Sequence, residues 1–148
     1  LYRDPRDVVL SALDHGRKLR QRGETHTFAN CRSIKETIPF ALRWLVMTIP
    51  WVRTRNVLCL RYEDLVGNPS AQMEKLAAFL NIDPNAAGIN LEALCSAYKV
   101  RNNTAVVKNV LHFNRGIAAR FRTEMAPEDL ELCNHAFRDY LPLLGYEQ

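Results

Sequence analysis

A short apolar run, NVLCLRYE at residues 56–63, stands between two segments patterned for helix, and it limits the architecture more than any other stretch. A run this brief, bounded by polar residues, suits a strand buried on both faces. Upstream, DPRDVVLSALDHGRKLR offers Asp4 as an N-cap, Pro5 at the first helical position, and Val8, Val9, Ala12 and Leu13 along one face, which predicts a helix over 5–20. Leu1 and Tyr2 then read as the tail of a strand. GETHTFANC is loop-like, and SIKE supplies a capping box for a mostly apolar helix from Ser33 to Trp51. After the central run, Gly67 ends a loop, Asn68 caps and Pro69 opens a third helix. Strand, helices, strand, helix is the α/β pattern, with the long helical stretch as a right-handed crossover between parallel strands.

Further on, NLEALCSAYK reads as a short helix, residues 100–125 as irregular, and APEDLELCNHAFRDYLPLLGY as a final helix with an acidic first turn. Two strands are too few for an open parallel sheet, so further strands are expected before Leu1, and the chain is read as the later part of one domain spanning 1–148. No internal repeat is visible.

At 148 residues and 47% apolar composition the chain is long enough to bury a core. No apolar run approaches the roughly 20 residues of a membrane helix. The best candidate, IPFALRWLVMTIPWV, is interrupted by Arg43 and two prolines. Cys31, Cys59, Cys95 and Cys133 are widely spaced, which suggests free thiols rather than a zinc site or a disulfide framework; no metal and a cytoplasmic location are the expectations.

The formal charge of +4 is unevenly spread. Between Ala93 and Thr123 lie Lys99, Arg101, Lys108, Arg115, Arg120 and Arg122 with no acid, whereas residues 124–148 hold one arginine and six acids. A basic segment without carboxylates is suited to an anion: phosphate, sulfate, nucleic acid or an acidic surface. A solvated basic loop explains the charge equally well.

In open α/β sheets, ligands gather beyond the carboxyl ends of the strands, where helix N-termini point N–H groups at anions. Arg3 is so placed, and so is Tyr62-Glu63-Asp64. Arg6 opposes the macrodipole unless an anion or Asp4 and Asp7 stand near it. Arg3 offers a planar fork for a phosphate, and Ser11, about two turns on, a hydroxyl. In HFNRGIAARFR, Arg115-Gly116 lets a cation and bare backbone approach an anion together. Phe113 and Phe121 suit either the core or a platform for a base, Phe121 the core.

RDPRDVVLS, VLCLRYEDLVGNPSAQMEKLAAFL and FNRGIAARFR with APEDLELCNHAFRDYLPLLGY, in this order and at these separations, resemble the C-terminal half of the sulfotransferases that use 3′-phosphoadenosine 5′-phosphosulfate (PAPS). The resemblance implies a P-loop NTPase-like parallel sheet with flanking helices, here mostly helical because the N-terminal strands and phosphate loop fall outside the chain. It implies transfer of a sulfuryl group from PAPS to a hydroxyl or amine of a small-molecule or glycan acceptor, leaving 3′-phosphoadenosine 5′-phosphate (PAP), with neither metal nor nucleic acid required. By position, Arg3, Ser11, Arg115 and Gly116 correspond to the residues that grip the 3′-phosphate, and Tyr62 to the tyrosine near the adenine.

Departures accompany the match. Asn114 stands where many members carry arginine, and Ala119, Arg120 and Phe121 stand where a glycine, an acid and a tryptophan are common. The short dimer motif of many animal cytosolic members is not reproduced around RTEMAPEDLE. The family's lysine-bearing phosphate loop and its catalytic base, commonly histidine, precede these motifs and are not in residues 1–148. His15, His26, His112 and His135 lie outside the matching context, so no catalytic residue is assigned. Phe28, Phe40, Trp44 and Trp51, around the second helix, suit an acceptor wall or the core alike. A basic nucleic-acid-binding module using residues 93–123 and a nucleotide-dependent kinase of related fold stand as alternatives.

Overall fold

The computed structural model describes residues 1–90, Glu92, Ala93, Ser96 and 116–147. The chain divides into two units, one of Tyr2–Cys59 with Ile117–Gln148 and one of Leu60–Gly116 with Leu1.

In the first unit, helix α1 runs Pro5–Gln21. Asp4 caps it as expected, its carboxylate accepting from Arg6 N at 2.9 Å, with Pro5 opening the first turn. Val9, Leu10, Ala12 and Leu19 form the buried face. At the far end, Gly23 takes a left-handed φ of 68°, and Glu24 N and Gly23 N return to the carbonyls of Leu19 and Arg20, a Schellman closure. A 3₁₀ turn, Thr27–Asn30, folds back onto α1 at Gly16, where a Cβ would collide with the Phe28 carbonyl. Arg20 holds the turn down, its Nη1 donating to the carbonyls of Ala29 (2.8 Å) and Cys31 (3.0 Å).

Helix α2, Ile34–Val52, begins at the expected cap. Ser33 Oγ accepts from Glu36 N, but the Glu36 carboxylate reaches Arg32 N at 3.2 Å, one residue earlier than a reciprocal capping box requires. Pro39 and Pro50 lie within the helix, both exposed. Its inward face is Ile34, Thr37, Ile38, Ala41 and Leu45, whereas Val46, Met47 and Trp51 face out.

In the second unit α3 is Tyr62–Gly67 and α4 is Pro69–Phe79, and in the first unit α5 is Phe121–Glu124 and α6 is Pro127–Phe137. The core of the first unit gathers Val9, Leu10, Ile34, Ile38, Ala41 and Leu45 with Phe121, Cys133, Phe137, Leu141 and Leu144. The sequence pattern predicts one final helix through residue 146, yet α6 ends at Phe137, and a 3₁₀ turn at Pro142–Leu144 follows. Pro142 is the reason: in a continuous helix its ring would clash with the Arg138 carbonyl. Gly145, at φ 75°, closes the turn.

The expected strand over 56–63 does not form: residues 57–59 of the first unit and Leu60 of the second carry no regular structure, and Tyr62 opens α3. A strand needs neighbours for its N–H and C=O groups, and no strand exists among the described residues. Glu63 and Asp64 suit the first turn of a helix, which is where they lie, rather than a loop. Asn68 caps α4 by accepting from Ala71 N at 3.2 Å, and Pro69 follows it, as expected. Asn81, at φ 55°, ends α4 in a second Schellman closure. Of the short helix expected over 90–99, Asn90 accepts from Ala93 N, and Glu92, Ala93 and Ser96 are helical. The described residues are mostly helical.

Candidate functional site

Arg3 precedes α1, and its side chain is turned back along it. Nη2 donates to Asp7 Oδ2 at 2.9 Å and to the Ile117 carbonyl at 2.7 Å. Asp7 is fully buried, and its other oxygen, Oδ1, accepts from Phe121 N at 3.0 Å, at the start of α5. One carboxylate thus holds both the arginine before α1 and the segment 117–121 that lies more than a hundred residues later.

Ser11 lies one turn beyond Asp7 on α1 and is half-buried. Gly116 adopts φ 67°, in the left-handed region glycine enters without strain, and directly precedes the Ile117 carbonyl that Arg3 grips. Arg115, Asn114, Phe113 and His112 lie outside the described residues. Tyr62, half-buried, opens α3 in the other unit. The structure therefore brings Arg3 to the residue following Gly116, with Ser11 on the helix that Arg3 precedes.

Arg6 has a different task. Nε and Nη2 form a fork with the Asp4 carboxylate at 3.0 and 2.7 Å. Nη1 donates to Asn134 Oδ1 at 2.9 Å, Nη2 also reaches the Glu147 carbonyl at 2.8 Å, and the guanidinium lies 4.0 Å from the centre of the Phe121 ring. At 3% exposure, Arg6 is a buried structural cation, and Asp4 is the partner that relieves its conflict with the macrodipole. Phe121, at 5% exposure, is core, as expected.

The departures from the family pattern at 119–121 now have a geometry. Ala119 takes a left-handed φ of 57°, the conformation that a glycine there adopts freely. Arg120, in the acid's place, is buried and donates to Glu124 (Nε 3.0 Å, Nη2 2.8 Å) and to Asp14 (Nη2 2.7 Å). Those two carboxylates, Glu124 foremost, raise its pKa against the opposing effect of burial, so it stays charged. Of the basic residues in 93–123, Arg120 is thus committed within the fold.

His26 Nδ1 accepts from Phe28 N at 3.3 Å, capping the 3₁₀ turn, and its ring stacks on Phe28 at 5.2 Å. Phe28 meets His15 edge-on at 4.9 Å and Phe40 at 4.8 Å. His135 lies exposed in the last turn of α6. Among the described residues no group of three His, Cys, Asp or Glu side chains is placed to hold a metal, and no helix is long and apolar enough to cross a membrane.

Asp7 is the residue the sequence reading underused. It is weighed there only as a partner for Arg6, whereas the structure assigns Asp4 to Arg6 and Asp7 to Arg3. The four-residue spacing of Arg3 and Asp7 is the signal that points to this pair.

The family model described as the sulfotransferase domain matches residues 1–145. No curated protein and no solved structure matches the chain. With nearly its whole length matched, the chain belongs to the sulfotransferase domain family.

Proposed function

We propose that the protein transfers a sulfuryl group from PAPS to a hydroxyl or amine of a small-molecule or glycan acceptor, and that this chain supplies the 3′-phosphate and adenine side of the donor site. Arg3, Ser11, Arg115 and Gly116 would hold the 3′-phosphate, and Tyr62 would lie by the adenine, on a P-loop NTPase-like α/β domain. The observation that supports this reading is the Arg3 bond to the Ile117 carbonyl, because it joins the first of the family's nucleotide motifs to the residue that follows Gly116. A partly exposed guanidinium held in a fixed plane suits a phosphate as a preset cation.

In the transfer, a bond forms between the acceptor oxygen or nitrogen and sulfur while the bond from sulfur to the 5′-phosphate oxygen breaks; the acceptor gives up its proton, and PAP leaves. The contribution proposed for these residues is positioning. Holding the nucleotide by its 3′-phosphate fixes the reacting end in line with the acceptor. It also selects the nucleotide, because cations arranged for that phosphate are left uncompensated by one lacking it.

The burial of Arg120 between Asp14 and Glu124 removes one cation from the segment on which the nucleic-acid alternative relies. A thermal-shift titration of the full-length protein with PAP, set against adenosine 5′-phosphate, tests the proposal. Selective stabilisation by PAP is expected, about 2.7 kcal/mol at a hundredfold excess over Kd, and it should be lost in Arg3→Ala and Arg115→Ala. Equal responses to the two nucleotides would refute it.

A further inference from the structure

We propose that Asp7 is a positioning residue of the 3′-phosphate grip, an inference that rests on the nucleotide reading above. Its two carboxylate oxygens tie the Arg3 guanidinium to the segment Ile117–Phe121, so that the arginine and this segment are set in place together.

Asp7 has no exposed surface, and both of its oxygens have partners in different parts of the chain: Arg3 Nη2 on Oδ2 and Phe121 N on Oδ1. A carboxylate taken out of water in this way requires a cation, and Arg3 provides it. Arg3 itself is not fully buried; its side chain keeps 16% of its surface exposed. The pair is therefore asymmetric, with the anion sealed inside and the cation at the surface, where a second anion can reach it.

Geometry adds a second argument. Two acceptors on one guanidinium nitrogen, Asp7 Oδ2 and the Ile117 carbonyl, fix the plane of the whole fork. A guanidinium whose plane is already fixed loses less freedom when it meets a phosphate, the general basis of preorganisation. The same carboxylate caps Phe121 N, so 117–121 is held at both ends, by Arg3 at Ile117 and by Asp7 at Phe121.

Charge and position predict opposite signs for removing Asp7. A carboxylate beside Arg3 repels phosphate, so charge alone predicts that Asp7→Asn binds a 3′-phosphate more tightly. A positioning role predicts weaker binding, because Asn retains an acceptor for Phe121 N but loses the ionic hold on Arg3.

Calorimetric titration of the full-length protein with PAP and with adenosine 5′-phosphate separates these. The quantity to read is the ratio of the two dissociation constants, which a general loss of stability leaves alone because both nucleotides suffer equally. Asp7→Asn is expected to reduce the preference for PAP roughly tenfold, the lower end of the effect supporting residues exert at other preorganised sites. In an Arg3→Met background the same substitution should change the ratio no further. Asp7→Glu, which keeps the charge but displaces the carboxylate by a methylene, should lower the preference too, and it decides the matter if Asp7→Asn does not fold. An unchanged or increased preference in the folded variant, or additive effects of the Arg3 and Asp7 substitutions, overturns the positioning role alone. A wild-type protein that binds both nucleotides equally overturns the nucleotide site and the role of Asp7 with it.

Discussion

Arg120 and Asp14, separated by 106 positions in sequence, meet at 2.7 Å, and the same guanidinium closes on Glu124 one turn ahead of it. Arg120 is 3% exposed, and its removal takes away the buried cation that Asp14 and Glu124 share. Arg120→Ala is expected to lower unfolding free energy by about 3 kcal/mol, the lower end for breaking a buried ion pair because Glu124 is partly solvated. The double variant with Asp14→Ala should lose less than the sum of the single losses, read from urea midpoints at constant slope.

Gly16 and Gly67 should respond oppositely to alanine. At Gly16 a methyl group collides with the backbone carbonyl of Phe28, and the 3₁₀ turn must lift from α1, a loss of about 2 kcal/mol. At Gly67, the last residue of α3, nothing lies within 4 Å and φ is not positive, so alanine should leave stability unchanged or raise it by up to about 1 kcal/mol. Thermal unfolding of the two variants side by side checks the contrast.

Ala119→Gly should stabilise. A left-handed alanine is strained by about 1–2 kcal/mol, and glycine's greater freedom in the unfolded chain returns part of that, leaving a net gain of about 0.5–1 kcal/mol. A lower midpoint in denaturant than wild type would contradict the strain.

Cys133 is sealed in the core, and burial, with a smaller contribution from Asp129, pushes its thiol up to about 12. Below the ordinary thiol value the proton is bound in both folded and unfolded chains, and stability does not depend on it. From pH 9 upward the unfolded thiol ionises while the folded one does not, so stability falls by at most ~1.4 kcal/mol per pH unit until the folded thiol titrates. The loss should be smaller in Cys133→Ala, measured by denaturant unfolding between pH 8.5 and 10. In the folded protein, maleimide should label the half-buried Cys59 well before Cys133.

The helices of the first unit are legible because their signals are local. Asp4-Pro5 and Ser33 mark starts whose caps depend on residues two or three positions away, and the structure keeps both. The strand over 56–63 is a different kind of expectation, since an apolar run states only that it will be buried, and pairing depends on neighbours that the described residues do not include. The break in the last helix is legible in Pro142, although the apolar spacing continues across it. At the site, Arg3 and Gly116 are visible through their chemistry, but the carboxylate linking Arg3 to 117–121 is a long-range contact with Phe121 N, and a backbone donor carries no sequence signature. The partner of Arg6 is not legible in the sequence because Asp4 lies two positions before it and Asp7 one after, and the direction of each side chain, not the spacing, divides them.

The bond from Arg6 to the Glu147 carbonyl spans 141 positions. During synthesis, then, α1 leaves the ribosome well before Glu147, one of the acceptors that seal the Arg6 guanidinium. Until Glu147 follows, the charge at the head of α1 must stay hydrated, and the core beneath it cannot close. Tyr146 and Glu147 act as the stopper of the vessel: a mutation that loosens them would reopen the head of α1 to water.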